Sequence, residues 1–85
     1  MTINFSIRVV DNDSDPVSGV TVTVSENVLL GHANESETTD GDGWVSFCWE
    51  TILENFYDVT VYVGGTEVGR YTFYDGDSTS FVYPN

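Results

Sequence analysis

The chain has 85 residues, 40% of them hydrophobic and 14% aromatic, and sets 14 acidic residues against two basic ones, Arg8 and Arg70, for a formal net charge of −12. A chain of this length buries roughly 60–65% of the surface its unfolded form exposes, enough for one thin core in a single domain over 1–85 and too little for a deep catalytic cleft. So acidic a surface repels nucleic acid and anionic membrane, which are bound through Lys and Arg, and no apolar run approaches the ~20 residues of a membrane-spanning helix.

Ile3, Phe5, Ile7 and Val9 alternate with Asn4, Ser6 and Arg8, a period of two that predicts a half-buried strand over 3–9. Asp11-Asn-Asp-Ser-Asp-Pro16 breaks it with turn formers. Val20, Val22 and Val24 alternate with Thr21, Thr23 and Ser25, predicting a second strand over 20–24. Residues 26–38 are less regular: Val28-Leu29-Leu30 is a short apolar patch before Gly31, His32 and a polar run, read as a loop or short strand. The Asp40-Gly41-Asp42-Gly43 turn precedes a strand over 45–49 with Val45, Phe47 and Trp49 on one face. Residues 50–55 fit one helical turn or a connector. Tyr57, Val59, Val61 and Val63 predict a strand over 57–63, and Gly64-Gly65 then gives the strongest hairpin signal in the chain. The partner strand runs over 68–74, Asp75-Gly76-Asp77 turns again, and the last strand covers 79–83. Six or seven short strands separated by regular turns predict an all-β, antiparallel Greek-key sandwich of the Ig-like or transthyretin-like kind.

Lys is absent. A surface of net charge −12 repels itself, and molar salt removes that penalty by shortening the Debye length to about 3 Å. This composition points to a salt-loving host; the alternative is an ordinary acidic protein that meets cations or a basic partner. Cys48 stands alone, so no internal disulfide forms. The first ten residues alternate and lack the charged and apolar regions of a signal peptide. The expectation is a chain made in the cytoplasm, or a module excised from a longer protein.

Two stretches, Pro16-Val-Ser-Gly-Val-Thr-Val-Thr-Val24 and Thr39-Asp40-Gly41-Asp42-Gly43-Trp44-Val45-Ser46-Phe47, resemble the transthyretin-like and carboxypeptidase-regulatory-like domains, and overlap with bacterial Ig-like and adhesin B-type domains. The resemblance covers roughly residues 3 to 83. It implies a seven-stranded Greek-key sandwich used as a spacer, adhesion or stabilising module without catalytic residues. Adhesin B-type domains often carry an isopeptide crosslink that needs Lys, which this chain lacks.

Asp11, Asp13 and Asp15 have the D-x-D-x-D spacing that opens an EF-hand loop, but Pro16 stands where that loop needs Gly and Val22 where it needs Glu. A looser Ca²⁺ site between turns, joined by Asp40, Asp42, Asp75 or Asp77, is the one metal candidate; otherwise no cofactor is implied. The alternative is that Asp simply favours turns. Zinc wants three or four N/S ligands and the chain offers His32 and Cys48. Gly-x-Ser-x-Gly is absent, and carboxylates this abundant make any acid pair uninformative, so no catalytic residue is assigned. Three glycosylation-type triplets, at Asn4, Asn12 and Asn34, are expected by chance in a Ser-rich chain. Trp44, Tyr62 and Tyr74 fall on the outward rows of their strands, as interface aromatics do; Trp44 equally suits a place covering a sheet edge or under the 26–38 segment.

These readings lead to the expectation of a non-enzymatic structural module, an accessory decoration or turret subunit of a virus particle, made in the cytoplasm and contacting itself or other structural proteins through Trp44, Tyr62 and Tyr74. The alternative is an excised Ig-like module of a cell-surface or secreted protein that binds a partner or Ca²⁺.

Overall fold

The structure is a computed structural model that describes residues 2–26, 34–50 and 56–83. Seven strands follow one another: β1 (Thr2–Val10), β2 (Thr21–Glu26), β3 (Asn34–Thr38), β4 (Trp44–Glu50), β5 (Phe56–Val63), β6 (Thr66–Tyr74) and β7 (Asp77–Val82). No helix occurs among the described residues. The six strands expected from alternation are all present, each boundary within two residues of its expected place. The expected helical turn near 50–56, the 28–30 patch and His32 lie mostly or wholly in 27–33 and 51–55, outside the described residues.

The strands form two sheets, ordered β4-β1-β7 and β3-β2-β5-β6. Every pairing is antiparallel except β1 with β7, the first and last strands, which run parallel. The chain changes sheet after β1, β3, β4 and β6, so only β2–β3 and β5–β6 are joined within one sheet.

Alternation places the core. Ile3, Phe5, Ile7 and Val9 face inward from β1 and meet Val22, Val24, Val59, Val61 and Val63 from the other sheet, all buried. Burying such a side chain contributes about 1.5–3 kcal/mol each, which makes β1 and β5 the two strands the fold least spares. Phe5 is the hub: it stacks on Phe47 at 5.4 Å and on Phe73 at 4.4 Å, joining β4, β1 and β6. Trp49 closes one end, edge-on to Tyr57 at 4.7 Å.

The 26–38 segment, read as a loop or short strand, contains β3, paired with β2 from Thr21–Thr38 to Ser25–Asn34. It has no apolar residue to alternate. Its inward row is Glu35 and Glu37, opposite Val24 and Val22, a charged row on an edge strand that resists pairing with further chains. The other side of the sandwich is closed by Tyr71 of β6, edge-on to Phe81 of β7 at 4.9 Å. A bulge beside Val61 shifts the β5–β6 register there. The Tyr71 ring then lies over Gly69, whose φ is +143° and where a Cβ would meet the ring at 3.2 Å.

Candidate functional site

The sandwich distributes its charge unevenly. On the outer face of β4-β1-β7 the rows across the sheet are Asn4–Cys48, Ser46–Ser6–Ser78 and Trp44–Arg8–Ser80. No carboxylate lies among them; Glu50 sits at one end, where it accepts a hydrogen bond from the Thr2 hydroxyl at 2.6 Å, and Asp42 at the other. The Arg8 guanidinium lies over the Trp44 ring, 5.7 Å from its centroid, and its Nε donates to the Asp42 carbonyl at 3.0 Å. The bond fixes Arg8 against the turn, and the cation–π contact ties it to half-buried Trp44.

The outer face of the other sheet is also hydroxyl-rich, with Thr23 bonded to Ser36 at 2.8 Å. One of its carboxylates, Asp58, is paired with Arg70, whose Nε and Nη2 donate to the two carboxylate oxygens at 3.1 and 2.7 Å. That hydrogen bond, reinforced by the Asp58 charge, pushes the Arg70 pKa up from its ordinary value. The guanidinium is exposed, so the pair fixes geometry more than it adds stability.

Trp44, Tyr62 and Tyr74 are each on an outer row, as alternation implies, but the structure does not bring them together. Trp44 is on the three-stranded sheet; Tyr62 and Tyr74 are on the four-stranded one. Tyr62 stands opposite Glu67 and Tyr74 opposite Phe56, so these two are six residues apart along β5, about 20 Å at strand rise. The period of a strand tells which face a side chain takes and nothing about which sheet the strand joins. The three aromatics therefore do not share one face: Trp44 stands apart from Tyr62 and Tyr74.

The Asp11, Asp13 and Asp15 carboxylates do converge, their nearest oxygens within 4.8 Å of one another. Hard oxygen ligands of this kind suit Ca²⁺. One oxygen is already engaged: Asp11 Oδ1 accepts from the Asp13 and Asp15 N–H groups at 2.8 and 3.0 Å. Asp75 and Asp77 do not join them. Asp75 Oδ1 accepts from the Asn4 N–H at 2.9 Å and Asp77 Oδ2 from the Tyr74 N–H at 2.8 Å, at the opposite end of β1, about 23 Å away by strand rise. Asp40 and Asp42 share the near end in a separate turn. Cys48 is an exposed free thiol on the three-stranded face; His32 lies outside the described residues.

Thr39 is a buried polar residue that alternation does not single out. Its Oγ1 accepts from the Val20 N–H at 2.9 Å and donates to the Val17 carbonyl at 2.7 Å, while its backbone exchanges bonds with Gly19 and Val20. It pins the start of β2 to the turn before β4. The pairing of a Thr with the following Asp-Gly-Asp-Gly run was its sequence signal. Comparisons with protein-family models, with characterised proteins and with solved structures return no match for this chain.

Proposed function

We propose that this protein is a non-catalytic structural module that docks as a subunit of a larger assembly, an accessory component of a virus particle. The observation that carries the reading is the outer face of β4-β1-β7, whose three central rows, Asn4–Cys48, Ser46–Ser6–Ser78 and Trp44–Arg8–Ser80, hold no carboxylate in a chain of net charge −12. Like-charged bodies associate only where the contact excludes the like charges, and here one aromatic anchor, Trp44, is held in place by Arg8 at the end of a flat hydroxyl face. Interfaces concentrate Trp and Arg at their anchors and deplete Asp and Glu. The two-sheet layering with repeated changes of sheet supports a Greek-key, transthyretin-like version of this architecture. That family is used for spacing and decoration, and the analogy is one of fold alone.

The test is physical association. Particles purified from cultures of the organism that encodes the chain should contain it, co-banding with the capsid protein on a density gradient. Expression in infected cells with none in the particles would overturn the virion reading. Trp44→Ala should weaken attachment by about 2 kcal/mol or more, as for a buried aromatic anchor, with the isolated fold retained. The halophile reading is tested separately: the melting temperature should rise from low salt to about 1 M, where screening is nearly contact-range, and a flat or falling curve counts against it.

A second reading, a surface module of a longer protein that binds a partner or Ca²⁺, is favoured by the convergence of Asp11, Asp13 and Asp15. Stabilisation by millimolar Ca²⁺ equal to that by molar salt would support it.

A further inference from the structure

β4 is an edge strand whose one sheet neighbour among the described residues is β1. The bond from the Val9 N–H to the Gly43 carbonyl, 2.8 Å, sets the phase of that ladder. Bonded pairs alternate in an antiparallel ladder. Val45, Phe47 and Trp49 therefore turn their backbone groups toward β1, while Trp44, Ser46, Cys48 and Glu50 turn theirs outward. Both ends of this outward row are engaged within the chain. The Trp44 N–H donates to Asp40 Oδ1 at 3.0 Å, and its carbonyl accepts from the Asp40 N–H at 3.1 Å. The Glu50 carbonyl accepts from the Tyr57 hydroxyl. Between these two stops, the N–H and C=O of Ser46 and Cys48 present two donors and two acceptors in strand geometry. The strand has no Pro, Gly or bulge, and its first charged residue is its last, Glu50.

Carboxylates border this edge on its inner side and at both of its ends. β3, the edge of the other sheet, lies against β4, and its Glu35 and Glu37 share the inward row with Val24 and Val22. They line the gap between the two edges. Asp40 and Asp42 stand at one end of β4 and Glu50 at the other. In a strand added antiparallel to β4, residues opposite Ser46 and Cys48 would face the outer hydroxyl surface, and the residue opposite Phe47 would face the Glu35–Glu37 side.

The geometry points to a strand-acceptor site: the β4 edge takes one short extended segment of a partner protein, bonded to Ser46 and Cys48, with Lys or Arg at its inward-facing positions. Main-chain bonds supply the affinity in this mode of recognition and alternate side chains the specificity. A second copy of this chain fits poorly through its own β4, which carries neither Lys nor Arg and would set Glu50 beside Asp40. The inference deepens the assembly reading by naming the kind of contact, and rests on it in requiring a protein partner.

The test uses the full isotope-labelled chain titrated with the peptide acetyl-Lys-Thr-Lys-Thr-Lys-amide at about 0.15 M salt, where the Debye length is about 8 Å. Shifts and exchange protection should centre on the Ser46 and Cys48 amides. The same peptide N-methylated at both Thr keeps its charge and loses its donors, and should bind about tenfold more weakly or worse. Glu35→Gln with Glu37→Gln should also cost about tenfold, whereas Asp11→Asn with Asp13→Asn should leave binding unchanged. Ser46→Pro deletes an outward donor without touching the β1 ladder and should abolish binding; should it fail to fold, the N-methylated peptide carries the same test. Equal binding of the N-methylated peptide, with shifts spread over the acidic turns, would overturn the site as charge attraction alone. Protection of Ser46 and Cys48 that grows with protein concentration and no peptide would overturn it in favour of a second copy. If the chain is missing from particles yet the peptide binds as described, the virion reading fails and the acceptor stands. If the chain is in particles and the peptide does not bind, docking runs through the outer face and the acceptor fails.

Discussion

Two turns at the same end of the sandwich are built alike and sit in different surroundings. Asp11-Asn-Asp-Ser-Asp15 leaves β1, and Asp40-Gly-Asp-Gly-Trp44 leads into β4. In each, the first Asp Oδ1 accepts from the N–H groups two and four residues on, at 2.8 and 3.0 Å in one and 2.9 and 3.0 Å in the other. In each, the first carbonyl accepts from the N–H three residues on and the first N–H donates to the carbonyl four residues on. In each, the fourth residue has positive φ, 67° at Ser14 and 81° at Gly43. The local code is therefore the same, and the differences between them are tertiary. Gly43 is packed against β1: a Cβ there would come 2.5 Å from the Val9 carbonyl and 3.2 Å from Pro16. Ser14 is exposed and carries its side chain in that conformation. The fifth residue also differs, Asp15 in one and Trp44 in the other, so one turn gathers three carboxylates and the other launches the anchor of the proposed interface.

The two turns should differ most at the fourth position. Gly43→Ala combines the left-handed penalty of about 1–2 kcal/mol with the cost of overpacking a tight site, about 1–3 kcal/mol, so urea unfolding should show a loss of about 3 kcal/mol or more. That is comparable with Phe47→Ala, which empties the core beside Phe5 at about 3–5 kcal/mol. A loss under about 1 kcal/mol at Gly43 would mean that the turn moves freely against β1, contrary to its packing.

The first position should separate the turns by less. Asp40→Ala leaves two N–H groups without their charged acceptor, one of them on half-buried Trp44, and should cost about 2 kcal/mol. Asp11→Ala strips the same two bonds from a turn that water reaches, and should cost about 1 kcal/mol. Equal losses in parallel chemical denaturations would show that burial around Trp44 contributes nothing to the difference.

Ser14→Gly removes the strain at the exposed turn and adds entropy to the unfolded chain, so the two effects nearly cancel and a gain of about 0.5 kcal/mol or less is expected. The smallest contrast concerns cations. Ca²⁺ at about 1 mM should raise stability by less than about 0.5 kcal/mol, the value for a dissociation constant of about 1 mM. A larger rise that Asp13→Asn removes and Asp42→Asn preserves would place a metal at the first turn.

The strands were legible because their inward positions are Val, Ile and Phe at period two, and the hairpin because Gly64-Gly65 supplies two positive-φ residues, at 59° and 86°. β3 was legible only as a loop or short strand, because Asn-Glu-Ser-Glu-Thr has no apolar row and takes its place from β2. Of the site, the D-x-D-x-D spacing singled out the three carboxylates that the first turn draws together, but left open whether they form a metal site or only a turn. It could not tell that the backbone already engages one of them, a fact that depends on the turn closing back on itself. That Trp44 points outward was readable; that Arg8 lies over it was not, since the pair depends on the β1–β4 register.

The parallel pairing of β1 with β7 has a mechanical consequence. Thr2 and Tyr83 lie at opposite ends of adjoining parallel strands, so tension applied between them acts along the ladder and loads its hydrogen bonds together, in shear. Thr2 and Glu50 lie opposite one another at the same end of the antiparallel β1–β4 pair, so tension between those two peels the bonds one at a time. Pulling experiments with handles at residues 2 and 83 should therefore meet a distinctly higher rupture force than with handles at 2 and 50, and a subunit tethered through its ends would resist extension where one gripped at its edge would yield.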